Sequence, residues 1–331
     1  MATLPWTTAH SVALQLSSMR LLDFSRAVEG SPLLVCAPYA LHRANIADLA
    51  PGHSLMEALQ AAGIARLYLT DWLSAAPEMR YFSIDTYLSD LNVAVDTIGP
   101  PVDLAGLCQG GWLSLLYAAR FPDKVRRLVL AGSPVDVSVP SELSRMVASL
   151  PQQGFEAMVR QGEGIVSGKH MLQLWSIPFS LLDVETALQR PLDGTSEDAR
   201  VLLDRFTCWN RETLDLPGTY YLEVTDWIFR QNRIAAGDFV ALGSKVDLAA
   251  VKLPVFLLAA ENDIVVPADQ AFATLRLLGT PPAWLECDTE PCSHLGLFMG
   301  CRALAGPWRR IARWLQSDLG ETASERSRIS A

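Results

Sequence analysis

The sequence predicts an α/β fold: a mostly parallel sheet with helices on both faces and a helical cap inserted into it. Short apolar runs alternate with helical spacing over residues 31–134 and again over 246–319, the rhythm of strand–helix units in a parallel sheet. Between them, residues 135–245 carry amphipathic helical patterns and no convincing buried strand, so an insertion interrupts the sheet. Near the centre of the first half, a glycine-rich turn joins a strand to a helix with no linker at all. Half of the 331 residues are hydrophobic and 19% are charged, enough for one large core with an insertion.

In chain order, residues 1–30 read as a helical N-terminal segment. Residues 32–37 form the first strand, followed by a loop through Pro38, Tyr39, His42 and Arg43. Ser54 opens a helix over 55–62 that Gly63 stops. A second strand over 65–69 ends at Thr70-Asp71-Trp72. Ser83 starts a helix that runs through Val95, and Gly99-Pro100-Pro101 breaks the chain. An apolar run (Val102, Leu104, Ala105) then stops at Gly106-Leu107-Cys108-Gln109-Gly110-Gly111. Helical spacing begins at once (Trp112, Leu115, Leu116, Ala119), and Phe121-Pro122-Asp123 closes it before a strand over 128–131. The cap contributes helices near 142–150, 155–160, 199–206 and 220–230. Alternation resumes with a strand over 253–260, a helix over 271–278, a strand over 284–287 and a last helix over 305–319. The tail, 320–331, is expected to be disordered.

Charge and composition exclude several classes. A net charge of −9 argues against nucleic acid and anionic membrane surfaces as partners. Arg309, Arg310 and Arg313 read as the solvated face of the last helix. No apolar run reaches membrane-spanning length, and the first residues lack the pattern of a signal peptide, so a cytoplasmic location is expected. The six cysteines (Cys36, Cys108, Cys208, Cys287, Cys292, Cys301) match no zinc spacing. Cys287 and Cys292 could pair; reduced thiols are the simpler reading. No metal and no organic cofactor is implied.

Strand, sharp turn and helix around Cys108 form a nucleophile elbow, normally written G-x-S-x-G, which points to an α/β-hydrolase fold. Only hydrogen side chains at Gly106 and Gly110 let strand and helix approach so closely, and the helix start favours a thiolate and an oxyanion. The plainer alternative is a buried core cysteine. An elbow nucleophile needs a base and an acid, in the chain order nucleophile, Asp or Glu, then His. Asp263 follows the 253–260 strand, with Glu261 two positions away as its competitor, and His294 is the only histidine after the cap. The backbone N–H of Gln109 would supply one half of an oxyanion hole, and that of Tyr39 or Ala40 the other. His42 either lines the pocket or merely packs there. A thiolate attacks thioesters and activated esters, and its acyl product stays reactive, so acyl transfer and hydrolysis are both open.

The box around Cys108 resembles the lipase-like box of poly(3-hydroxyalkanoate) synthases, in which cysteine replaces serine. Asp71-Trp72, Tyr87-Leu88, Phe121-Pro122-Asp123-Lys124-Val125 and Ser133-Pro134-Val135-Asp136 are similar to that family too. So is Trp209-Asn210 with Thr213 and Leu216-Pro217-Gly218, where Glu212 stands in place of the usual Asp. Trp209 and Asn210 thereby become candidate pocket residues. The resemblance covers roughly residues 30–316. It implies a Cys108–His294–Asp263 enzyme acting on hydroxyacyl-CoA, with Cys108 carrying the growing chain. It also implies a polymer granule, and either a second subunit or a homodimer, as partners. The chain departs from the synthases at Ile264, where they usually have His. Lacking their long N-terminal domain, it is expected to stand nearest the short synthases that work with a second subunit. Two stretches, Ala37-Pro38-Tyr39-Ala40-Leu41-His42-Arg43-Ala44 and His294-Leu295-Gly296-Leu297-Phe298-Met299-Gly300, instead resemble intracellular polyhydroxyalkanoate depolymerases. Three functions therefore stand: an acyltransferase, a hydrolase of polyhydroxyalkanoate oligomers, esters or thioesters on the same residues, or a non-catalytic granule-associated relative.

Overall fold

The computed structural model describes residues 4–175, 180–192 and 196–318. The alternating segments assemble into one eight-stranded sheet. Its strands are β1 (Ser11–Gln15), β2 (Met19–Asp23), β3 (Leu33–Cys36), β4 (Leu67–Trp72), β5 (Val102–Leu107), β6 (Val125–Ala131), β7 (Val255–Ala260) and β8 (Leu285–Glu290). They lie in the order β1-β2-β4-β3-β5-β6-β7-β8. Only β2 runs antiparallel to its neighbours; every other adjacent pair is parallel. Strands β3, β4, β5 and β7 are buried along their whole length, which is why they read as mostly apolar rather than as alternating. Where β5 buries a charge, Asp103 takes a hydrogen bond from Arg126 Nε at 2.8 Å.

The covering helices follow their sequence signals. Ser54 caps α1 (Leu55–Ala61), accepting from the Glu57 amide at 2.9 Å, and Ser83 with Thr86 forms a capping box on α2 (Ile84–Ile98). The buried residues of α2, among them Tyr87, Leu88, Leu91, Ala94 and Val95, recur at helical spacing. α3 (Gln109–Arg120) packs on β5 and β6.

Residues 4–30 are not helical, contrary to the helical segment expected over 1–30. Among those described, β1 and β2 form an antiparallel hairpin closed by Leu16 N–H donating to Met19 O at 2.9 Å, and β2 pairs with β4 in the register Arg20↔Asp71. Arg20 Nε reaches Asp71 at 2.9 Å across that pair. Strand β1 is an edge with an almost fully exposed surface, so it lacks the buried-face alternation that identifies a strand from sequence.

The cap comprises α4 (Glu142–Ser149), α5 (Gln152–Gln161), α6 (Gly168–Trp175), α7 (Leu181–Leu188), α8 (Glu197–Arg211) and α9 (Gly218–Glu223), the last continued by a π-helical stretch, Val224–Arg230. Two ladders of two residues per strand also occur there, too short to leave a sequence signal. Asp136 ties the cap to the core, accepting from Asn232 Nδ2 at 2.9 Å and pairing with Arg276. Buried apolar residues of sheet and cap form one continuous cluster. After β7, α10 (Ala268–Ala273) ends in a 3-10 turn, and α11 (Pro307–Gln316) packs Trp308, Ile311 and Leu315 inward. The tail 320–331 lies outside the described residues. Among the described residues, no helix is long and apolar enough to cross a membrane.

Candidate active site

Strand β5 ends at Leu107 and α3 begins at Gln109, leaving Cys108 alone in the bend with φ 50° and ψ −119°. That conformation costs a residue with a side chain about 1 kcal/mol or more. It is held in place by the Cys108 amide donating to Ala131 O at 2.9 Å and its carbonyl accepting from Gly111 N at 2.9 Å. A Cβ on Gly106 would lie 2.4 Å from Gly111 Cα, and one on Gly110 would lie 2.1 Å from Cys36 O. Both glycines are therefore demanded by close approach, as the sequence led us to expect. The thiol is half-buried and free, at the amino end of a twelve-residue helix whose first N–H groups favour negative charge.

His294 and Asp263 meet beside it. His294 Nδ1 lies 2.6 Å from Asp263 Oδ2, and Asp263 Oδ1 accepts from the amides of Val265 and Val266, each at 2.8 Å. The carboxylate is thus fully engaged, and the imidazole turns its other nitrogen away from it. The ring packs edge-on against Phe298, with centroids 5.3 Å apart. Gly132 is close to both rings: an added Cβ there would sit 3.2 Å from His294 Cε1 and 3.3 Å from Phe298 Cζ. Burial opposes a positive charge on His294, but the Asp263 carboxylate, the Cys108 sulfur and hydrogen bonds to both raise its pKa well above the ordinary imidazole value. Glu261, the alternative acid, is exposed.

Loop residues after β3 complete the floor. Ala37 N–H donates to Thr70 Oγ1 at 3.0 Å, and Trp72 Nε1 donates to Ala37 O at 2.8 Å. The Tyr39 ring is buried among Trp72, Tyr87 and Tyr220, with the nearest ring centroid 4.7 Å away. Above this floor is a cavity of about 640 Å³ that touches Cys108, Gln109 and His294. Its wall comes from the cap and is mostly apolar, with Leu143, Met146, Met171, Val224 and Phe229 prominent.

His42 and Trp209 line this cavity, with ring centroids 4.5 Å apart. Burial, working against a hydrogen bond to the Glu212 backbone, pushes the His42 pKa down to about 4, so the ring is neutral. Among the described residues, its Nδ1 has no protein partner. Asn210 does not belong here. It lines a separate cavity of about 380 Å³ with Leu181, Val184 and Phe206, because adjacent residues on α8 project to different faces and Trp209 takes the inward one. Sequence reasoning passed over Tyr220, Met146 and Met171. Tyr220 sits two residues past the Leu216-Pro217-Gly218 motif, so only its neighbourhood was marked. Among the described residues, no group of three or more His, Cys, Asp or Glu could hold a metal ion.

The family profile described as alpha/beta hydrolase fold matches residues 51–300. The poly(3-hydroxyalkanoate) polymerase subunit PhaC of Synechocystis is 29% identical, covering 93% of this chain and 84% of that protein. Its counterpart in Allochromatium vinosum is 28% identical over 87% of this chain and 82% of that one. The longer Haloferax mediterranei subunit is 25% identical, and this chain spans 65% of its length. Among solved structures, a monoacylglycerol lipase of Paleococcus ferrophilus shares the fold, with a TM-score of 0.55 and 16% identity over 90% of this chain and 98% of that one. A thermophilic esterase from Thermogutta terrifontis does so with a TM-score of 0.55 and 14% identity over 93% and 98%. The chain belongs to the alpha/beta hydrolase fold family, and within it resembles the poly(3-hydroxyalkanoate) polymerases.

Proposed function

We propose that this chain is an acyltransferase that takes 3-hydroxyacyl groups from a thioester such as an acyl-CoA, carries them on Cys108 and passes them to a hydroxyl acceptor. What supports it most is one arrangement: a strained elbow cysteine beside an Asp263-anchored imidazole, opening into a cap cavity with an apolar wall. The sulfur gives its proton to His294, through the nitrogen that Asp263 leaves free, and the thiolate attacks the thioester carbonyl. Negative charge on that oxygen is met by the N–H of Gln109 and by an N–H of the loop after β3, at Tyr39 or Ala40. Collapse breaks the carbon–sulfur bond to CoA, and the departing thiolate takes the proton from His294. An acceptor hydroxyl then gives its proton to His294 and attacks the acyl-cysteine, forming an ester and returning the Cys108 thiolate, which His294 reprotonates.

A thioester intermediate suits transfer, since it remains reactive toward an alcohol, and an apolar wall suits an acyl chain more than a stream of water. Hydrolysis on the same residues is the second reading, favoured by the depolymerase-like stretches 37–44 and 294–300. The relatives are named as subunits, so a second subunit or a second copy is proposed as partner, with a cytoplasmic polymer granule as the place of work. Purified protein given a 3-hydroxyacyl-CoA separates these readings. Thiol release with insoluble polyester is the expected result, and thiol release with only free hydroxy acid selects the hydrolase. Inertness toward thioesters and simple esters alike, from folded protein mixed with its partner subunit, would leave a binding protein.

A further inference from the structure

Several polar contacts join the cap to the loop after β3, among them Leu214 N–H to Leu41 O and Trp209 Nε1 to Arg43 O, and one of them is buried. The hydroxyl of Tyr220, on α9, donates to the backbone carbonyl of Tyr39 at 3.2 Å. Tyr220 is only 2% exposed, packs 5.2 Å from the Tyr39 ring and 4.9 Å from Tyr87, and lines the same cavity as Cys108. Burial above all, with Tyr39 and the Cys36 and Cys108 sulfurs adding to it, raises its phenol well above the ordinary value, so it is a donor at every working pH.

The loop's backbone groups can be followed one by one. Ala37 has both taken, its N–H by Thr70 and its carbonyl by Trp72. Pro38 has no N–H. The Tyr39 carbonyl is taken by Tyr220, and the Tyr39 hydroxyl donates to Asp215 O at 3.4 Å. Among the described residues, the amides of Tyr39 and Ala40 have no protein acceptor. These are the two amides from which an oxyanion donor has to come, and the peptide plane between them is the one Tyr220 grips. Because a peptide is planar, fixing its carbonyl also fixes the N–H on its far side.

We infer that Tyr220 is a positioning residue, a cap side chain whose hydroxyl holds the Tyr39–Ala40 peptide so that the loop's free amide meets the oxyanion. The assignment deepens the acyl-transfer reading and rests on it. It also separates two jobs in the cap: its apolar wall receives the acyl chain, while Tyr220 reaches past the wall to the chemistry.

Tyr220→Phe removes one oxygen and keeps the ring. Single-turnover release of CoA from a 3-hydroxyacyl-CoA should slow by about tenfold or more, with KM within about twofold of the parent. Alkylation of Cys108 by iodoacetamide should run at the parental rate, because it develops no oxyanion. Melting temperature is followed alongside, and Tyr220→Leu, which also lacks the hydroxyl, replaces the Phe variant if that one precipitates. Unchanged turnover overturns the inference. So does a raised KM with unchanged kcat, which would make Tyr220 a substrate contact, or slowed alkylation, which would make it a partner of the thiol. Cys108→Ala is run in parallel. Activity in that variant removes the acyl-transfer reading itself, whereas an inert Cys108→Ala beside a fully active Tyr220→Phe removes only the role of Tyr220.

Discussion

The two sides of the cavity are built by different physics. On the sheet side every candidate group is fixed by several directional restraints. Cys108 is held at an unfavourable φ by two backbone hydrogen bonds, Asp263 engages both carboxylate oxygens, and His294 packs against Phe298 and close to Gly132. On the cap side the wall is made of Leu143, Met146, Met171, Val224 and Phe229, which have no directional partners and come from separate short helices. Hydrogen bonds and steric exclusion place reacting atoms to within fractions of an ångström, whereas dispersion contacts only set a volume. Substitutions on the sheet side should therefore act on rate in large steps, and those on the cap wall should act on substrate preference in small ones.

The largest effect expected is at the elbow. Cys108→Ala should abolish turnover, a loss of about 10⁴-fold or more, with no loss of folding. Cys108→Gly should be equally inactive yet more stable by about 1 kcal/mol, because glycine adopts φ 50° without strain; chemical denaturation measures this. A Gly variant no more stable than its parent would show that the bend is not strained. Next come the partners. His294→Gln should cost about 10³–10⁴-fold in kcat/KM and Asp263→Asn about 10²–10³-fold, read by thiol release, with melting nearly unchanged. Equal losses below tenfold would erase the contrast between the two sides of the cavity.

The third effect concerns the tie between cap and core. Burial of Asp136 works against its charge, but hydrogen bonds from Ser138, Arg276 and Asn232 prevail and hold its pKa at about 2, below the ordinary 3.8. A depressed folded-state value means stability that is complete above 3.8 and drains away as pH falls toward 2. Asp136→Asn should thus destabilise the protein by about 2 kcal/mol at pH 7 and by progressively less between pH 3.8 and 2, as followed by urea unfolding at each pH. A pH-independent difference would contradict this. The smallest effect belongs to the wall. Met171→Phe or Val224→Phe should shift relative kcat/KM between short and long acyl chains by no more than about tenfold, leaving Cys108 alkylation unchanged.

What was legible in the sequence follows the same division. The elbow could be read because glycine sterics act over a few residues, and Asp263 and His294 because their order along the chain and their loops after strands are local features. The hairpin at residues 11–23 was not legible, since its edge strand buries almost nothing and its pairing with β4 spans some fifty residues of chain. Asn210 was misplaced because a motif marks neighbours in sequence, and on α8 neighbours face different ways. The Tyr220 contact joins residues 181 positions apart, and no local pattern reports that.

The most direct test of the whole account is intact-protein mass spectrometry after a single turnover with a 3-hydroxyacyl-CoA, followed by peptide mapping. We predict one acyl group on Cys108, with CoA released in equal amount, and neither product from Cys108→Ala. An acyl group on any other residue, or CoA released at the parental rate by Cys108→Ala, would contradict it.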